Sequence, residues 1–153
     1  MALQKATQVV QKLTVPSANG ATDPVPVVGD FTVPAGFASG DVVEMGALPD
    51  GYVPVDLIVD NEAMGATVTA DFGLLSGDYD ATGARTCGAQ FIAAAALGTA
   101  GIKRLSAAGG ARIAPTVTGK GRGWGFVAST VTTPTVGSKI RATLLVRPQV
   151  EGV

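Results

Sequence analysis

Apolar residues recur at every second position along most of the chain. Val53, Val55, Leu57 and Val59 alternate with Pro54, Asp56, Ile58 and Asp60, which predicts a strand with one strongly apolar face. Ala66, Val68, Ala70, Phe72 and Leu74 alternate with Thr67, Thr69 and Asp71 and predict the next strand. The connection between them, Asp60 to Gly65, is polar and ends in glycine, as a hairpin loop should. Near the C-terminus, Ile140, Ala142, Leu144 and Val146 alternate with Lys139, Arg141, Thr143 and Arg147. This is the cleanest strand, and its outer edge is basic. Trp124, Phe126 and Ala128 form a further alternating set, separated from it by the turn-like run Thr133 to Ser138. Weaker strand patterns occupy Gln8 to Val15, Val25 to Val33 and Asp41 to Leu48. Short strands broken by Gly and Pro predict an all-β, jelly-roll-like sandwich or barrel.

Two segments depart from this rhythm. Cys87 to Leu97 contains an alanine tetrad and is followed by Gly98. Alanine has the highest helix propensity and glycine suits a C-cap, so one short Ala-rich helical segment is expected. The other reading is a tight small-residue strand packed on a neighbouring subunit. The first 35 residues are punctuated by Pro16, Pro24, Pro26 and Pro34, and Ser17 to Pro24 reads as a loop. Residues 1–35 are expected as an extended N-terminal arm or an edge hairpin with proline at edge positions. Residues 36–153 are expected as a single β domain, with no internal repeat.

Composition narrows the chemistry. The 153 residues include no histidine and one cysteine. That excludes His-based triads, His metal sites and intrachain disulfides within one chain. The net charge is -1, which supplies no field for nucleic acid or an anionic membrane. No apolar run approaches the roughly 20 residues of a membrane span. Charged residues are 15% of the chain, against about 25% in typical soluble domains. This thin charge predicts that part of the surface is covered by a partner.

Candidate sites are few. Asp78-Tyr79-Asp80-Ala81-Thr82-Gly83 imitates the start of a calcium loop, but Ala89 stands where the bidentate Glu is required. An Asp- and Gly-rich surface turn is the better reading, and no metal is expected. Gly119 to Gly125 places Lys120, Arg122 and Trp124 on a glycine-rich backbone without the P-loop pattern. Its readings are a loop leading to a core Trp124, a phosphate contact with base stacking, or a basic loop docking on an acidic surface. Asp56, Asp60, Glu62 and Asp71 fix no carboxylate pair of the glycosidase kind. Cys87 has no histidine to activate it and is expected as a small buried side chain. Lys103 and Arg104 are expected as surface cations. No enzyme activity and no cofactor is expected.

The central stretch carries a resemblance. Leu48-Pro49-Asp50-Gly51-Tyr52, then Val53 to Asp60, then Ala66 to Gly77 resemble the strand-and-turn pattern of small virion proteins of tailed bacteriophages. Several of these act as capsid cement or decoration proteins. The pattern spans about a quarter of the chain and is not a catalytic signature. The resemblance implies a structural protein on the capsid surface, assembled in the host cytoplasm. Its partners would be the major capsid protein and copies of itself, as a homodimer or homotrimer, with no direct nucleic-acid or membrane contact. The partner-contact candidates are Lys5, Lys12, Lys120, Arg122, Arg141 and Arg147. The alternatives are a tail tube or tail-completion protein and, from another class, a carbohydrate-binding module. The scarcity of aromatic residues, 5% of the chain, counts against the last.

Overall fold

Most successive strands alternate between two sheets. In the computed structural model, residues 2–7, 24–114 and 120–149 are described. Among them are strands β1 (Leu3–Lys5), β2 (Val25–Thr32), β3 (Val42–Leu48), β4 (Tyr52–Asn61), β5 (Val68–Asp78), β6 (Ile92–Ala96), β7 (Gly101–Arg104), β8 (Arg122–Val131) and β9 (Lys139–Pro148). One sheet has the order β1-β3-β8-β5-β6 and the other β2-β9-β4-β7. The two pack face to face as a jelly-roll-like sandwich. Gly110–Arg112 forms a 3-10 turn. No helix among the described residues is long and apolar enough to cross a membrane.

The inward faces follow the period of two where the strands are regular. On β9, Ile140, Ala142, Leu144 and Val146 are all buried. On β5, Val68, Ala70, Phe72 and Leu74 are buried, whereas Ala66 lies before the strand and is exposed. The sheets meet through aromatic rings. Phe31 of β2 sits edge-on to Phe126 of β8 with centroids 5.7 Å apart, and Phe72 of β5 lies 5.1 Å from the same ring. Such pairs add roughly 0.5–1.5 kcal/mol each beyond the burial of their area.

Three expectations are corrected. First, Asp60 to Gly65 is not a hairpin loop. β4 and β5 belong to opposite sheets, so this segment crosses the sandwich, with Met64 buried under the crossing. A polar, Gly-terminated loop reverses the chain either way. Second, Val53 and Val55 do not share the buried face of Leu57 and Val59. The β4–β9 register shifts between Pro54 and Asp56, so Val55 is an extra residue and Pro54 turns inward. Proline has no N–H for the ladder, so a bulge here loses little.

Third, the alanine tetrad lies in a strand rather than a helix. β6 pairs antiparallel with β5, Ala96 opposite Thr69 and Ile92 opposite Phe72. Ile92, Ala95 and Leu97 are buried; Ala93, Ala94 and Ala96 are exposed. Ala94 takes φ 50° at the register shift, and its N–H donates to Asp71 Oδ1 at 2.7 Å. An isolated helix this short is marginal in water, whereas the strand gains a ladder and buries Ile92 and Leu97.

The described parts of residues 1–35 lie one in each sheet. β1 runs parallel to the edge of β3, and Ala6 is fully buried. Its start is held by Asp41, whose Oδ1 accepts the Ala2 N–H at 2.9 Å. β2 is an edge strand paired with β9, and Pro26 on it is exposed. The candidate strand Gln8 to Val15, including Lys12, lies outside the described residues.

Candidate functional site

β3 is buried along its whole length. One face has an ordinary cause: Val43 and Met45 enter the core. Glu44 between them lies on the opposite face by the strand period, yet it is also fully buried. The cover is the loop that follows β5. From this loop Arg85 donates through Nη1 to Glu44 Oε1, and only 4% of the residue is exposed. Its Nε donates to Ser76 O at 2.7 Å, so the guanidinium ties the loop to the end of β5 as well.

Further contacts fix the loop over the sheet. The Asp80 N–H donates to Glu44 Oε1 at 3.2 Å, and the Tyr79 N–H to Gly121 O at 3.1 Å. Ser76 and Thr86 close its base through Ser76 N–H to Thr86 O at 2.9 Å and Thr86 N–H to Ser76 Oγ at 3.0 Å. Lys5 at the end of β1 forms an ion pair with Asp80. Asp80 has φ 58°, the left-handed region, which Asp tolerates better than most residues. Burial, and then the negative charges of Glu44 and Asp80, raise the Tyr79 phenol above its ordinary value.

The room for the ion pair is made by a missing side chain. A Cβ on Gly123 would lie 2.1 Å from Glu44 Oε1 and 2.7 Å from Arg85 Nη2. The glycine-rich entry to β8 is therefore shaped for the pair beside it. Trp124 next to it faces the other way and is fully buried in the core, so it is not available to stack on a base.

This corner gathers part of the sequence-predicted set. Lys5 reaches it through Asp80. Arg122 lies opposite Asp78 in the β5–β8 register and donates through Nη2 to Leu75 O at 3.2 Å. Lys120 is exposed and precedes Gly121, whose carbonyl accepts from Tyr79. Arg141 and Arg147 sit elsewhere, exposed on β9 in the other sheet. Arg141 grips Asp30 of β2, Nε to Oδ1 at 2.7 Å and Nη2 to Oδ2 at 3.3 Å. A groove of about 260 Å³ between β1 and β2, lined by Lys5, Thr7, Asp30 and Thr32, separates the two regions. Of the other cations, Arg104 is exposed and pairs with Asp56, while Lys103 reaches Asn61 Oδ1 at 2.5 Å.

Glu44 and Arg85 are the residues that sequence reasoning misses. Glu44 is the one charge within the run Val42 to Leu48, which is the signal that could have drawn attention to it. Nothing local connects it to Arg85, 41 positions away. Among the described residues no group of three or more Cys, Asp or Glu is placed to hold a metal ion. Cys87 is half-buried rather than fully buried as expected, and desolvation pushes its thiol up to about 12, which keeps it protonated near neutral pH. The corner therefore fixes a shape and a set of charges.

No protein-family model matches the chain, and no curated protein matches it significantly. Two solved structures are similar. A chain of the structure described as the capsid of Ralstonia phage GP4 matches with a TM-score of 0.89 and 28% identity, over 97% of this chain and 99% of that one. A chain of the Cyanophage Pam1 capsid asymmetric unit matches with a TM-score of 0.50 and 16% identity, over 90% of this chain and 96% of that one. The second likeness is one of fold alone. The first extends to sequence and runs end to end through both chains. The first supports a phage capsid-related structural protein.

Proposed function

We propose that this chain is a cement or decoration protein of a tailed-phage head. It would bind the lattice of the major capsid protein at the capsid surface and act as a structural, non-enzymatic component. The observation that carries this reading is the end-to-end match to a chain of a phage capsid structure, at a TM-score of 0.89. The thin charge of the chain is compatible with it. A ligand that binds only the assembled shell stabilises that shell by mass action, by an amount that grows with the logarithm of the free ligand concentration over its Kd. Many equivalent sites multiply a small free energy per site.

Contact with the shell is assigned to Lys5, Lys120 and Arg122 at the clasped corner, to Arg141 and Arg147 on β9, and to Lys12. Self-association as a homodimer or homotrimer would follow the symmetry axis on which it sits. Assembly would take place in the host cytoplasm. A tail tube or tail-completion role is favoured less, because the chain matched end to end comes from a capsid structure.

The test is co-sedimentation of the purified chain with undecorated capsids of its own virus. Saturable binding, with capsids that melt at higher temperature once loaded, is the expected result. No binding, or rings and tubes of the protein alone under negative stain, would reject the cement role.

A further inference from the structure

We propose that the loop Tyr79–Thr86 is a shell-contacting element, and that the buried Glu44–Arg85 pair is the device that positions it. This rests on the capsid reading above and names the surface that performs it.

The construction of the loop points this way. Burying two charges against a sheet costs desolvation that two apolar side chains would avoid, so such a pair is a poor choice for stability alone. What it supplies is a fixed geometry. Arg85 joins the carbonyls of Ser76 and Gly77 to Glu44, and Asp80 reaches the same carboxylate through its N–H. Gly123 keeps the space for the pair open. Asp80, at a positive φ, is held by its N–H bond to Glu44 and by the ion pair of its side chain with Lys5.

All these anchors act on the flanks of the loop. The tip between them is bare: Thr82, Gly83 and Ala84 are exposed, small and uncharged. Among the described residues their amides donate to no backbone or side-chain acceptor. A tip of this kind carries free backbone donors and acceptors, and loses little conformational entropy on docking because its base is already rigid. It fits a flat polar protein surface, here a chain of the capsid shell, better than a pocket or a charged polymer. Lys5, Arg122 and Lys120 stand at its foot, where a polar rim belongs in a protein interface.

The experiment uses the full chain and undecorated capsids, with three proteins side by side. Thr82→Arg/Ala84→Arg changes only exposed tip residues. It should melt like the unaltered protein and bind capsids about tenfold or more weakly, as loss of a central contact does. Glu44→Leu/Arg85→Met should retain the sandwich by circular dichroism, exchange its Tyr79–Thr86 amides faster and also bind more weakly. Hydrogen exchange on the capsid-bound, unaltered protein gives the independent readout: amides of Thr82, Gly83 and Ala84 should become protected. Unweakened binding by the tip variant, or tip amides left unprotected in the bound state, overturns the proposal while leaving the cement role standing. Failure of the unaltered protein to bind overturns the cement role itself and this proposal with it.

Discussion

The Arg85 guanidinium donates to Glu44 beneath the loop that follows β5, and neither side chain reaches solvent to any useful extent. Their energetics differ from those of the exposed pair Arg104–Asp56, in which water screens the charges. Removing one buried partner strands the other. Arg85→Ala should therefore destabilise the fold by about 3–5 kcal/mol. The paired change Glu44→Leu/Arg85→Met should cost less than the single one, because no charge is left behind. Urea denaturation of the variants checks this; a double variant less stable than Arg85→Ala would refute it.

Glycines on β8 give a second, graded test. At Gly123 a methyl group meets the ends of two side chains, which can shift. At Gly125 it would lie 1.9 Å from the backbone oxygen of Val43 on the neighbouring strand, which cannot. Gly123→Ala should cost roughly 1–3 kcal/mol, and Gly125→Ala more, as overpacking against a rigid wall does. Equal stabilities would show that the strands separate more easily than the register implies.

Cys87 predicts a pH effect of defined sign. Burial raises its thiol to about 12 from an ordinary value of 9.0. In the folded chain it should resist alkylation at pH 8 and react promptly once the chain is unfolded in urea. The raised value also links to stability. Below pH 9 both states hold the proton and this stabilising contribution is complete. As the pH rises from about 9 towards 12 the unfolded state alone loses the proton, so stability falls across that window. Cys87→Ser should flatten this decline. Fast alkylation of the folded protein at pH 8 would contradict the burial.

Asn61 ends β4 and ties three carbonyls together. Its Nδ2 donates to Glu62 O at 2.7 Å and to Leu97 O and Thr99 O at 3.1 Å each. Asn61→Ala removes these bonds, while Leu97 O keeps the Met64 N–H and Thr99 O keeps Lys103 Nζ, so a cost of roughly 0.5–1.5 kcal/mol follows. The amides of β7, the strand that starts just after this junction, should exchange faster. Unchanged exchange in Gly101–Arg104 would show that the junction is held by other means.

Regular strands and the inward face of β9 are legible in the sequence, because Ile140 to Val146 obey a period that only one fold element uses. The all-β class follows from several such strands. Less local features are not legible. Pro54 and Val55 look like any alternating pair, and their bulge arises from pairing with β9. Asp60 to Gly65 has the composition of a turn, which cannot say whether the next strand pairs or crosses to the other sheet. The alanine tetrad has a helical propensity of its own, but pairing with β5 outweighs it. At the corner, Lys5, Lys120 and Arg122 are visible as cations, while the Glu44–Arg85 clasp joins positions 41 apart and is visible only once β3 and the loop are placed.

The central claim is tested most directly by a cryo-EM map of the native virion. The account predicts density for this two-sheet sandwich on the capsid surface, repeated at equivalent lattice positions. Density for the chain in the tail, or a shell without it, would contradict the account.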